Sequence, residues 1–218
     1  KQSTPVFRAM TFLDHCQKKT LYLGEDELIV GERGPAPKAV PTFPELTCHS
    51  VEDFKVLNTR EKQPYTISQE DINTYAEEVI PYWKGRTQRE RIFNHVPETW
   101  RRAYEAGVFT EFMEQRAPGH TALDGKIYKQ GMLDFKQEIQ AHIDTLDYLN
   151  DPEANDKAEQ LHAMNISCDA VILFAERHAD LAELKAKTEN DPLRKAELLT
   201  IAEVCRWVPA NAPRNFWE

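Results

Sequence analysis

The 218 residues carry 36 acidic against 27 basic side chains, a formal charge of -9, and 41% of them are hydrophobic. That length and apolar content suffice for a buried core, which excludes global disorder, and the acidic balance leaves no basic footprint for nucleic acid or an anionic lipid surface. No apolar run approaches the roughly 20 residues a membrane span needs, and the first residues lack the layout of a signal peptide, so the chain reads as a soluble, cytoplasmic protein.

In chain order, residues 5–19 place Val6, Met10, Phe12 and Leu13 near one helical face behind Ser3 or Thr4 as a cap, predicting an amphipathic helix. Leu21 to Leu23 and Glu27 to Gly31 flank the polar turn Gly24-Glu25-Asp26, the composition of a short hairpin. Pro35, Pro37, Pro41 and Pro44 then forbid both continuous helix and a central strand, predicting an extended, ordered loop. Short helices are expected over residues 50–57 and from Ser68 to about Ile80, where Asp71 stands three residues after Ser68 as in a capped start. The aromatic series Tyr82, Trp83, Phe93, Trp100, Tyr104, Phe109 and Phe112 lies among Arg86, Arg89, Arg91, Arg101 and Arg102. In so acidic a chain this reads as core aromatics with solvated arginines, not as a platform for nucleic acid bases. Helices are predicted over residues 128–146, 152–188 and 192–208, the last two opened by Asp151-Pro152 and Asp191-Pro192, with Asp as cap and Pro in the first position.

Catalytic motifs are sparse. Glu159 and His162 make one E-x-x-H, whereas a di-iron bundle needs that motif twice with two further carboxylates. His142 and His178 read as surface or boundary histidines. Cys16, Cys48, Cys168 and Cys205 form no C-x-x-C pair and read as reduced thiols. Cys48 and His49 are neighbours on extended chain and point apart, while Cys168 and Cys205 fall on apolar helix faces. Gly31 to Gly34 lacks the Lys-Ser/Thr of a phosphate loop. The stretch from Phe109 to Thr121 is different: Glu111, Glu114, Gln115, Arg116 and His120 surround Phe112 and Met113, and Pro118-Gly119 allows a sharp bend. Such a cluster fits either a small-molecule pocket or a buried hydrogen-bond knot that pins a loop.

Three passages, Glu27-Leu28-Ile29-Val30-Gly31-Glu32, Pro41-Thr42-Phe43-Pro44-Glu45 and Glu114-Gln115-Arg116-Ala117-Pro118-Gly119-His120, occur in an order that resembles the N-terminal region of glycyl-radical enzymes of the pyruvate formate-lyase superfamily. The likeness extends from Arg8-Ala9 through Trp83-Lys84 and Tyr104 to Gly107 as far as Val208-Pro209-Ala210. It implies that residues 1–218 are the N-terminal part of a pyruvate formate-lyase domain, mainly α in this segment and the helical portion of a ten-stranded α/β barrel. The missing initial Met and the ending at Phe216-Trp217-Glu218 are expected of a segment cut from such a chain.

The loops for the thiyl Cys and the radical-bearing Gly have no counterpart here. The segment is therefore expected to be inactive alone and to bind no cofactor or metal, the intact enzyme carrying a glycyl radical installed by a radical-SAM activase. The implied reaction, part of anaerobic metabolism, is elimination of water from a small hydroxylated acid such as trans-4-hydroxy-L-proline. Cleavage of a C–S bond in a sulfonate and a non-catalytic helical interaction domain are the other readings. In the hydroxyproline-dehydrating members the positions matching Phe112 and His120 line the substrate pocket, so the resemblance assigns Phe112, Gln115, Arg116 and His120 to substrate binding and His120 to catalysis. The implied partners are a small-molecule substrate, the activating enzyme, the rest of the same domain and a second copy in a homodimer.

Overall fold

The computed structural model describes residues 2–31, 42–62, 64–108 and 123–218, and all regular structure among them is helical. In chain order the helices are α1 (Thr4–Lys18), α2 (Val51–Thr59), α3 (Gln69–Thr74), a π turn (Tyr75–Val79) leading into α4 (Ile80–Trp83), α5 (Gln88–His95) and α6 (Glu98–Glu105). A 3-10 turn (Asp124–Tyr128), α7 (Met132–Asp144), α8 (Ala154–Thr188) and α9 (Pro192–Trp207) complete the set. They form two compact units, one of residues 1–36 and 121–218, the other of residues 37–120.

In the first unit α8 is the backbone of the packing: 35 residues long, about 52 Å at the usual helical rise, it carries α1, α7 and α9 on its sides. Its C-terminal half presents Ala179, Ala182 and Ala186 to Leu198, Ile201, Ala202 and Cys205 of α9, with Leu23 closing the cluster. Both stripes follow the i, i+3, i+4, i+7 spacing of one helical face. The start of α9 follows its sequence signal, for the Asp191 carboxylate accepts from the Leu193 N–H at 3.1 Å and Pro192 takes the first position. By contrast α8 begins two residues later than Asp151-Pro152 suggests. Asp151 receives the Glu153 N–H at 2.9 Å and the Lys157 ammonium at 2.7 Å, which makes a turn ahead of the helix.

Three further expectations are corrected in this unit. The face of α1 turned inward is carried by Ala9 and Cys16, while Met10 and Phe12 are exposed. Residues 21–31 form no hairpin, because distant side chains take the backbone groups that a strand would use. Arg194 donates to the Gly24 carbonyl at 3.0 Å, Trp217 donates to the Leu28 carbonyl at 3.0 Å, and the Gly24 N–H is held by the Glu27 carboxylate at 2.9 Å. The helix predicted from Tyr128 is broken before Met132. There the N–H groups of Met132 and Leu133 donate to the carbonyls of Pro209 at 2.8 Å and Ala210 at 3.0 Å, which caps α7 with the chain leaving α9.

His178, read as a surface or boundary residue, is buried; its Nδ1 lies 2.8 Å from the Phe174 carbonyl and its ring is edge-on to Phe174 at 4.5 Å. Burial pushes its pKa down, with the positive charges of Arg177 and Lys19 acting in the same direction against the Phe174 hydrogen bond. In the unfolded chain the imidazole titrates near its ordinary value of about 6.5, so below that pH protons favour the unfolded state until the depressed folded pKa is passed. The unfolding midpoint is therefore expected to hold above pH 6.5 and to fall as the pH drops below it. The His178→Gln variant, which keeps a donor for the Phe174 carbonyl, should show a flatter acid limb in denaturant titrations. An identical acid limb in the variant would remove His178 as the cause.

In the second unit the helix starts follow local chemistry. Capping boxes join Ser50 to Asp53, Ser68 to Asp71 and Thr87 to Glu90. Phe54 is buried with the edge of Tyr75 at 4.8 Å. Phe93, Trp100 and Tyr104 form a half-buried cluster in which Trp100 and Tyr104 stack at 5.5 Å and 8°. Two of the arginines expected to be solvated belong to this packing. Arg89 lies over Phe93 at 4.1 Å and donates to the Tyr104 hydroxyl at 3.2 Å, and Arg101 donates to the Phe93 carbonyl at 2.6 Å. Pro44 sits in a turn closed by the Leu46 N–H on the Phe43 carbonyl at 2.9 Å, while Pro35, Pro37 and Pro41 lie outside the described residues.

Candidate functional site

Phe112, Gln115, Arg116 and His120, the side chains expected at the substrate, lie outside the described residues. Among the described residues a cleft of about 1110 Å³ lies within the first unit, between α1 and α7 over a floor of α8. From α1 it receives Pro5, Arg8, Ala9 and Phe12. From α7 it receives Met132, Phe135, Ile139 and His142, and from α8 Gln160, Met164, Ser167 and Val171, while Leu123, Asp124 and Lys126 also line it.

Several of its polar groups are engaged. Gln130 donates to Glu138 at 2.7 Å and Lys126 does so at 3.4 Å, which holds the Glu138 carboxyl below the ordinary range, the Gln130 bond contributing most. The Ser167 hydroxyl donates to the Ala163 carbonyl at 2.9 Å, so no general base activates it. Burial, aided by the charge of Asp169, pushes the Cys168 thiol up against the opposing Lys136, whose ammonium is paired with Asp169. The cleft thus offers apolar surface and shape.

The other thiols are equally unsuited to thiolate chemistry. Cys16, Cys48 and Cys205 are free, and burial raises each of them. Cys16, Cys168 and Cys205 are buried inside helices, a placement that does not fit a sulfur facing a substrate, so no radical step is assigned to these residues. His49 is 3.7 Å from Asp53 and packs against Phe54 at 5.7 Å. Among the described residues no three His, Cys, Asp or Glu side chains are grouped to hold a metal ion, and no helix is long and apolar enough to cross a membrane.

The cleft was missed in the sequence reading because its stripes alternate apolar with polar residues, Arg8, Gln160 and Ser167 among them. The signal was present in the seven-residue recurrences Pro5/Phe12, Met132/Ile139 and Met164/Val171.

Comparison with known proteins places these observations in a family. The pyruvate formate lyase-like family model matches residues 1–218. The chain is 45% identical over 214 residues to trans-4-hydroxy-L-proline dehydratase of Clostridioides difficile, covering 98% of this chain and 27% of that protein. The crystal structure of that hydroxyproline dehydratase with trans-4-hydroxy-L-proline bound superposes with a TM-score of 0.87 at 44% identity, over 100% of this chain and 28% of the other. Isethionate sulfite-lyase of Oleidesulfovibrio alaskensis is 36% identical over 212 residues, covering 91% of this chain and 25% of its own length. A glycyl radical enzyme from Archaeoglobus fulgidus superposes with a TM-score of 0.79 at 29% identity, over 99% of this chain and 28% of that one. The chain spans about a quarter of the length of the relatives it matches, and across all of its own length it belongs to the pyruvate formate lyase-like family.

Proposed function

We propose that these residues are the N-terminal part of a glycyl-radical dehydratase that removes water from a small hydroxylated acid such as trans-4-hydroxy-L-proline. The observation that carries this reading is the 45% identity to trans-4-hydroxy-L-proline dehydratase over 98% of the chain. In the intact protein this segment is the helical flank of a ten-stranded α/β barrel, and the radical, installed by a radical-SAM activase, is supplied by parts of the protein outside these residues. What this chain contributes is one wall of the substrate pocket. Phe112 gives an apolar surface, and the His120 imidazole donates to a carboxylate oxygen or protonates the departing hydroxyl. Gln115 and Arg116 orient the substrate's polar groups. The protein acts as a homodimer in the cytoplasm.

The 36% identity to isethionate sulfite-lyase keeps a second reading, C–S cleavage of a small sulfonate. Competition between the two substrates separates them. The intact protein, activated under strict exclusion of oxygen, is expected to convert trans-4-hydroxy-L-proline to a product lighter by one water and to release no sulfite from isethionate. Sulfite release without turnover of the hydroxylated acid would replace the first reading by the second.

A further inference from the structure

The last turn of α1 is fastened to α8 by a guanidinium. The carbonyls at a helix C-terminus have no donor within the helix, and here Arg177 of α8 donates to the carbonyl of Cys16 and, at 2.9 Å, to that of Lys19. The Lys19 ammonium lies 5.6 Å from the centre of the Phe174 ring. His178, next to Arg177 in α8 and 2% exposed, meets the same ring at 4.5 Å, and its Nδ1 is 2.8 Å from the Phe174 carbonyl. A buried imidazole thus shares one corner with two cations. The buried residues of α1 itself are Ala9 and Cys16, so its apolar hold on α8 is thin.

We propose that His178, Arg177 and Lys19 form an acid-sensitive latch: when the imidazole takes up a proton, the last turn of α1 leaves α8 while the packing of α8 on α9 holds. Both charges that bear on the ring are positive, Arg177 on its own helix and Lys19 on the chain leaving α1. The Cys16 thiol of α1 is raised by burial and supplies no negative charge to offset them. On the α9 side the Cys205 thiol is raised in the same way, and Arg206 is paired with the exposed Asp180 and Glu183. A third positive charge in this corner therefore has no carboxylate to meet it, and a buried charge without a partner is strongly destabilising. The strain falls on α1, because its C-terminal carbonyls depend on the guanidinium beside the ring. The contact of α8 with α9 is made by Ala179, Ala182 and Ala186 against Leu198, Ile201 and Ala202, side chains that do not titrate.

The latch is independent of which substrate the protein takes, and turnover plays no part in its test. Backbone amide exchange of the intact protein is followed at about pH 7.5 and about pH 5.5, on either side of the ordinary histidine value, each rate being divided by the intrinsic rate at the same pH. An opening that lets one imidazole titrate near its ordinary value is expected to lower the protection of the α1 amides by about tenfold between the two conditions. The amides of α9 should keep theirs. In the His178→Gln variant, which retains a donor for the Phe174 carbonyl, the protection of α1 should change by less than about twofold. Equal losses in α1 and α9 would make the acid effect a global unfolding and overturn the latch, as would unchanged protection of α1 in the parent protein or the same loss in the variant. The contrast between α1 and α9 is read in the unsubstituted protein, so it decides the matter even where the variant does not fold.

Discussion

The His120→Ala substitution in the intact, activated protein is expected to lower turnover of the hydroxylated acid at saturating substrate by about a hundredfold or more, the usual contribution of a positioned general acid. The thermal midpoint should stay close to that of the parent protein, because a side chain that serves the substrate is not a core strut. Two quantities decide the role: the saturated rate and the melting temperature. Near-normal turnover would remove His120 from the site. A collapsed midpoint with activity lost in proportion would make it the pin of a hydrogen-bonded loop. The Phe112→Ala variant offers a contrast, since loss of an apolar wall should raise KM more than it lowers the saturated rate, whereas loss of a proton donor acts on the rate itself.

The Gly131→Ala substitution is expected to cost about 3 kcal/mol or more, the upper end of what overpacking does, and on the order of 10 °C in the melting temperature of a domain this size. The φ of Gly131 is -104°, so its backbone would accept any residue. The penalty is steric. A Cβ there would stand 2.3 Å from the Ala210 carbonyl oxygen and 2.4 Å from backbone atoms of Asn211, none of which can rotate away. The strain also falls on the caps of α7, since the carbonyls of Pro209 and Ala210 accept from Met132 and Leu133. Gly125→Ala is the control, with nothing within 4 Å of its added carbon. Equal midpoints for the two variants in a denaturant titration would show that the chain at 209–211 yields without loss.

What the sequence disclosed and what it hid divide by the range of the interactions. The starts of α2, α3 and α9 were readable because Ser50 with Asp53, Ser68 with Asp71, and Asp191 with Pro192 complete their bonds within a few residues. The path of residues 21–31 was not readable. Its carbonyls are taken by Arg194, 170 positions after Gly24, and Trp217, 189 positions after Leu28, so a local pattern of Leu, Ile and Val suggested a hairpin that tertiary contacts overrode. His178 was misread for a related reason. Its neighbour Glu176 suggested a surface or boundary position, whereas its i−4 and i+4 partners, Phe174 and Ala182, place it on the inward face. For the candidate site, composition between Phe109 and Thr121 could not separate a pocket from a knot; only the resemblance carried by the ordered family passages implied a substrate-facing role for those side chains.

The alanine stripe where α8 meets α9 has a consequence for how this unit opens. Fixing a side chain in a core forfeits rotamer freedom, up to about 2 kcal/mol for the longest chains and none for alanine. Ala179, Ala182 and Ala186 on one helix and Ala202 on the other therefore become ordered without that loss. Small side chains also let the two backbones approach toward the near end of the 8–10 Å range for packed helices. The α8–α9 pair is accordingly the portion in which exchange of backbone amide hydrogens should be slowest.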